Sequence, residues 1–306
     1  MSISLLLGGV ILFIYAIDLL TNDLLKLSID KVKQKLKKFT SSFKSSILTG
    51  FISTALIQSS SALIMITIAL INANLLTFNQ SFGIVLGSNI ATTITSFIVG
   101  LNLEKYSSLI MCLSLIFTNN KNEKISKTAK ICFALGLLFF SISLMSYATI
   151  DLHHNPKLYT YINKVANNFF LSLVVGTLFT AMLQSSSVFI AIIQILALSG
   201  FISLHQAIPL IFGANIGTSF DPLFTLFTCN KESKKLAHFS ILFNIITVIF
   251  FSIFITPFKL ILDKIICLLN ANVAINIAMI NILFNVLGVL LILPFIKQIK
   301  RYYSRW

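Results

Sequence analysis

Gln58-Ser59-Ser60-Ser61 and Gln184-Ser185-Ser186-Ser187 are two knots of hydroxyls and carboxamides set in strongly apolar sequence. Their chemistry is that of binding. Hydroxyls, an amide and the free N–H groups of a helix starting at such a tip can hold an anion, through the helix dipole and unpaired donors. Each knot is followed by a second polar cluster, Gly87-Ser88-Asn89-Ile90-Ala91-Thr92 and Gly213-Ala214-Asn215-Ile216-Gly217-Thr218. These read as breaks in a neighbouring helix. Exposed carbonyls there, with the oxygens of Ser88, Asn89, Thr92, Asn215 and Thr218, suit a hard cation such as Na⁺. Thr54 and Thr180 lie one turn before each knot and add hydroxyls.

A lone serine-rich patch in an apolar helix usually serves close packing or interhelical hydrogen bonds. Here the patch occurs twice. Residues 50–93 align with 176–219 without a gap, and fifteen of the 44 pairs are identical, clustered in the two motifs. A duplicated polar cluster inside a hydrophobic chain points to a transporter built from two halves.

The elements that must position these residues are membrane helices. The chain is 57% hydrophobic and 10% charged, with mean hydropathy +0.94. Apolar runs near the ~20 residues needed to cross a bilayer recur throughout. Strand alternation is absent, which disfavours a barrel. The fold class expected is all-α: a polytopic membrane protein of two inverted-topology repeats, each with a re-entrant helical hairpin and a broken helix, plus an extra C-terminal span. The net charge of +14 comes from lysine blocks between apolar spans, not from a nucleic-acid surface. The four widely spaced cysteines form no metal or redox pattern. The first apolar stretch has no basic leader, so it reads as a retained helix and not a signal peptide.

The expected order is as follows. Residues 1–118 form the first repeat: a span near 4–20, an interfacial helix over Lys26–Lys44, a hairpin at 45–74, a broken helix at 80–101 and a short span at 106–118. Residues 119–130 are a basic cytoplasmic loop. Residues 131–256 form the second repeat, with the hairpin at 172–199 and the broken helix at 204–228. Residues 257–306 hold an interfacial helix, a last span and a basic tail. Val32, Leu36, Phe39 and Phe43 fall on one helical face, and the offset of 126 equates them with Leu158, Ile162, Val165 and Phe169. If the hairpins re-enter, the Lys26–Lys44 block, the 121–130 and 231–235 loops and the tail all lie on one side, and 102–105, 151–168 and 258–273 on the other. The positive-inside rule then sets the N-terminus outside and the C-terminus in the cytoplasm of a bacterial cytoplasmic membrane.

No Lys, Arg, Asp or Glu occurs at 45–103 or 165–220. An anion held there has only hydroxyls and half-helix termini, each worth about +0.5 charge. A dianion would stay undercompensated, and bound cations would close the gap. Symport follows from that composition. Asp221, beside Pro222, is a candidate cation or proton ligand, or else a capped helix end. Asp18 reads as structural, near the cytoplasmic end of its helix. Leu242-Phe243-Asn244 recurs as Leu283-Phe284-Asn285, whose asparagines bridge helices or line the pathway. His153-His154 reads as an exposed loop.

With these motifs the chain resembles the type II sodium–phosphate cotransporter family, bacterial branch. Gln58–Ser61 and Gln184–Ser187 match its doubled signature, 87–92 and 213–218 its second motif, and the likeness extends to the Leu-Phe-Asn helices. The resemblance implies Na⁺-coupled transport of inorganic phosphate with both Gln-Ser-Ser-Ser tips at the central site. Ala91 stands where the family has glycine, and Asp221 where a neutral residue is expected. Besides phosphate and Na⁺ the expected partner is the bilayer, with no cofactor, no nucleic acid and homo-oligomerisation left open. Alternatives are a transporter of another oxyanion (sulfate or a dicarboxylate), a passive anion channel and an intramembrane serine hydrolase. The hydrolase fares worst: the serines come in symmetric triplets, no Gly-x-Ser-x-Gly occurs, and His238 has no counterpart in the first half.

Overall fold

A computed structural model describes residues 2–40, 42–101, 103–152 and 156–306; His153 and His154 lie outside the described residues. Every regular element among these residues is helical. In chain order they are α1 (Ser2–Lys38), α2 (Phe43–Ile57), α3 (Ser60–Asn72), α4 (Phe78–Gly100), a 3₁₀ turn (Leu103–Tyr106), α5 (Ser107–Phe117), α6 (Glu123–Leu152), α7 (Pro156–Ala166), α8 (Phe169–Leu183), α9 (Ser186–Leu198), α10 (Leu204–Gly217), α11 (Phe220–Thr228), α12 (Lys231–Ile253), α13 (Ile255–Leu269), α14 (Val273–Ile292), a second 3₁₀ turn (Leu293–Phe295) and α15 (Ile296–Arg305). Among the described residues five stretches are long and apolar enough to cross a bilayer: Ser4–Lys26, Phe78–Gly100, Glu123–Thr149, Lys231–Ile253 and Val273–Arg305. The chain is an all-α polytopic membrane protein.

Three expectations are corrected. The first span and the lysine-rich segment are one continuous helix, α1. Nothing between Leu20 and Lys38 stops a helix, whereas the second copy carries Pro156, equivalent to Asp30, and a new helix starts there. α7 then meets α8 at 101°. Second, the span expected at 106–118 is an α-helix of 11 residues. At 1.5 Å per residue it covers ~16 Å, about half the hydrocarbon layer. Third, the helix at 80–101 is not broken at Gly87-Ser88-Asn89; α4 runs unbroken from Phe78 to Gly100.

The glycines of the second motif serve helix crossing instead. A Cβ on Gly87 would lie 2.0 Å from the Ile47 carbonyl oxygen, and one on Gly213 would lie 2.2 Å from that of Leu173. Gly50 and Gly176 meet their partners as closely from the other side. α2 therefore lies backbone to backbone on α4, and α8 on α10, the small-residue packing that membrane helices use in place of a hydrophobic drive. In the second copy the break is real but sits later, at Thr218–Ser219 between α10 and α11. Pro222 cannot donate a backbone bond to the carbonyl of Thr218, and its ring crowds that carbonyl. The first copy has Ser96 at this position and stays helical.

The copies point in opposite directions. The α3–α4 turn shares one end of the bundle with the start of α12 and the tail: Asn230 N–H donates to Asn72 Oδ1 (2.9 Å), and Phe78 packs on Tyr303. α4 runs to the other end, where Asn272 Nδ2 donates to the Gly100 carbonyl (3.1 Å). There Gln194 on α9 donates to the carbonyls of Ser96 and Ala274 (2.9 Å each), and Ser199, just past α9, meets Thr149 (2.5 Å). α3 and α9, equivalent by sequence, thus end on opposite faces. Separate apolar clusters surround the hairpins, Phe82, Phe239 and Phe78 on the first and Phe212, Phe258 and Phe284 on the second. A third, with Phe13, Leu138 and Phe139, fills the seam where α1 meets α6.

Candidate functional site

Each Gln-Ser-Ser-Ser knot is the tip of a helical hairpin. Gln58 closes α2 with φ 59° and Gln184 closes α8 with φ 51°, both left-handed. Left-handed backbone costs a residue with a Cβ roughly 1–2 kcal/mol, and such strain gathers at functional sites. The next serine caps the following helix. Ser59 Oγ accepts from Ala62 N–H (3.2 Å) and Ser185 Oγ from Val188 N–H (3.4 Å). Two helix N-termini, α3 and α9, thereby open at the tips.

The tips converge. Gln58, Ser59, Ser60, Ser61, Gln184, Ser185, Ser186 and Ser187 all line one cavity of about 110 Å³, joined by Thr92, Thr218 and Ile17, Asp18 and Thr21 of α1. This is well above the ~10–15 Å³ that one water requires, and well below the several hundred Å³ of a site for a drug-sized ligand. A small oxyanion or hydrated ion fits that scale.

The expected cation ligands fall into two groups. Thr92 and Thr218 face the cavity. Their hydroxyls donate to the carbonyls of Ser88 (3.0 Å) and Asn215 (2.7 Å). Asn89 and Asn215 are buried and donate back to the carbonyls of Val85 (2.9 Å) and Ile211 (2.8 Å). Thr54, Ser88 and Thr180 do not line the cavity, but all three are buried and none of their hydroxyls has a hydrogen-bond partner among the described residues. Buried oxygens left unpartnered are costly, and a bound cation is one thing that satisfies them. Asp221 crosses to the other repeat, its Oδ2 accepting a short hydrogen bond from Ser61 Oγ.

Sequence reasoning missed Asp18. It sits on the cavity wall and not at a structural helix end, one turn before Thr21 on the same face. Its equivalent in the second copy is Leu144, so the internal repeat gave no signal for it. Electrostatics follow directly: no Lys or Arg lines the cavity, and one carboxylate does. The asparagines of the Leu-Phe-Asn pair bridge helices. Asn244 Nδ2 donates to Thr218 Oγ1 (3.2 Å) and Ser219 Oγ (3.1 Å), fastening the break after α10 to α12. Asn285 donates to Asn281 Oδ1 (3.0 Å) and Asn215 Oδ1 (3.4 Å), and Asn281 to Ser96 Oγ (3.2 Å). α14 thereby ties α4 to α10 behind the site. His238 is remote from it, bonding Tyr303 through Nδ1 (2.8 Å).

Comparison with known proteins gives the family. The family described as Na+/Pi-cotransporter matches residues 12–147 and 149–304. YqeW of Bacillus subtilis (strain 168) is 26% identical over 93% of this chain and 92% of its own length. The "Putative inorganic phosphate export protein YjbB" of Escherichia coli (strain K12) is 22% identical over 97% of this chain, which spans about half (54%) of that protein. "Sodium-dependent phosphate transport protein 2A" of Rattus norvegicus is 46% identical over 57 residues, 19% of this chain and 9% of that protein. No solved structure matches. Two inverted hairpins whose polar tips share one small cavity are therefore read in their family context: the chain belongs to the Na+/Pi-cotransporter family, a family of membrane transporters and not of enzymes.

Proposed function

We propose that this protein carries out Na⁺-coupled symport of inorganic phosphate across the bacterial cytoplasmic membrane, with both Gln-Ser-Ser-Ser tips holding the anion. The observation that carries this reading is the make-up of the shared cavity: every residue of both tips, the openings of two helices, one carboxylate and no lysine or arginine. The helix termini supply about +0.5 charge each. Phosphate brings between one and two negative charges at neutral pH, and Asp18 adds another. Cations must enter with it. Na⁺ takes Thr54, Ser88, Asn89 and Thr92 in the first repeat and Thr180, Asn215, Thr218 and Asp221 in the second, with Asp18 as a further ligand on the wall. No additional cofactor is needed.

The end of the bundle that gathers Asn230, Tyr303 and the basic tail faces the cytoplasm, leaving the N-terminus outside. Transport proceeds by movement of the two hairpin halves against the seam around the fixed cavity. The name of YjbB favours export in that relative, and direction here follows the imposed gradients. The test is labelled-phosphate flux in proteoliposomes under inward and outward Na⁺ gradients. Flux that follows the Na⁺ gradient in both directions supports symport. Flux unchanged after the gradient collapses is a channel. Sulfate or dicarboxylate taken up in preference to phosphate reassigns the substrate.

A further inference from the structure

Arginine is rare here and is not scattered. Of 23 basic residues in the chain only Arg301 and Arg305 are arginines, and they stand one helical turn apart on α15. Both line an open groove of about 590 Å³ with Gln298, Tyr302 and Trp306. No Asp or Glu side chain lines that groove, and among the described residues neither guanidinium has an ion-pair partner.

The groove has a fixed floor. Tyr303 on the opposite face of α15 is 2% exposed, bonded to His238 and packed edge-on against Phe239. Trp306 stacks on the His238 ring at 5.0 Å. The groove is thus held on α12 while its two guanidinium heads stay free.

Its depth follows from length. Val273–Arg305 is 33 residues, about 50 Å as helix, against a hydrocarbon layer of ~30 Å. The first charge after Val273 is Lys297. The apolar part fills the bilayer, and α15 emerges at headgroup level, where Tyr and Trp concentrate.

We propose that Arg301 and Arg305, with Tyr302 and Trp306, form a binding site for the phosphate-bearing headgroup of an anionic phospholipid. Guanidinium is planar and grips phosphate oxygens in pairs, which a lysine ammonium does not. A helix this amphipathic, lying where the span ends, meets lipid before any soluble ligand. The site is separate from the central cavity and does not depend on the transport reading.

Trp306 is the single tryptophan of the chain, so its fluorescence reports on this groove alone. Full-length protein is reconstituted in phosphatidylcholine vesicles containing equal minor fractions of brominated phosphatidylglycerol or brominated phosphatidylcholine. Brominated phosphatidylglycerol should quench Trp306 more strongly. Arg301→Gln with Arg305→Gln should lower the preference about tenfold or more, and the charge-keeping Arg301→Lys with Arg305→Lys about threefold. An unchanged Trp306 emission maximum in pure phosphatidylcholine verifies that the tail stays docked in each variant. Equal quenching by the two lipids overturns the site. So does a lysine variant equal to wild type, which reduces the effect to bulk charge attraction. Loss of the preference on adding millimolar inorganic phosphate reassigns the groove to the free anion and overturns the lipid proposal.

Discussion

The two hairpin tips have the same sequence and the same backbone, yet they are held differently. Gln58 is fastened: its Nε2 donates to the Ala55 carbonyl (2.6 Å) and its Oε1 accepts from Thr95 Oγ1 (3.0 Å). Ser61 is fastened to Asp221. Gln184 is exposed to the crevice and its side chain has no hydrogen-bond partner among the described residues. The difference traces to one pair of equivalent positions, Thr95 and Asp221. Both serve the first tip, one from its own repeat and one from the other. The repeat gives two tips of equal sequence, and the contacts from Thr95 and Asp221 fasten one of them and leave the other free. Under the proposed symport, the first tip is a rigid anchor and the second an adaptable contact.

Four sets of substitutions break or sharpen this comparison. The largest effect should come where the halves are alike. Gly87→Ala and Gly213→Ala each drive a Cβ into a backbone carbonyl, and overpacking of this kind costs about 1–3 kcal/mol or more. Both should sharply lower thermal stability in detergent, while Gly8→Ala, with nothing within 4 Å, should not. Equal melting of all three would undo the account of the helix crossings.

Next come the serines. Ser60→Ala and Ser186→Ala should each weaken phosphate affinity roughly tenfold or more, the worth of a hydrogen bond to a charged group, at normal expression. Wild-type uptake by both would sink the site assignment. Asp221→Asn should then separate the halves, shifting the Na⁺ activation curve of transport several-fold while Asn still accepts from Ser61. An unchanged curve removes Asp221 from the cation ligands. The smallest effect is also the most discriminating. Gln58→Ala should cost about 1 kcal/mol of stability through its lost hydrogen bonds, whereas Gln184→Ala should leave stability unchanged and weaken phosphate binding only. Matching stability losses in the two would erase the contrast between the tips.

Much of this was legible in the residues. The tips and the hairpins at 45–74 and 172–199 were readable because hydropathy and polar interruptions act over a few neighbours, whereas the capping by Ser59 and Ser185 came from the structure. The inverted arrangement was readable from lysine placement, and the contacts at the two ends of the bundle agree with it. The interruption at Gly87 was misread, because glycine marks both a helix break and a close crossing, and only the partner helix distinguishes them. Pro222 was the better sign, and it correctly divides α10 from α11. The apolar run at 106–118 marked α5 within a residue at each end, but Glu104, Lys105 and Lys121 flank it, so it was short from the start.

What the chain determined alone is its kind: a duplicated helical membrane protein with a pair of uncharged polar tips, fixed by composition and by an offset of 126 that any reader of the residues finds. What required the tertiary structure is the meeting of parts far apart in sequence. The convergence of Ser60 and Ser186 on one cavity, the placing of Asp18 on its wall and the reach of Asp221 to Ser61 depend on how helices more than a hundred residues apart pack together. Local sequence sets each helix and its caps, but the distance between two helices is settled by the side chains of both at once.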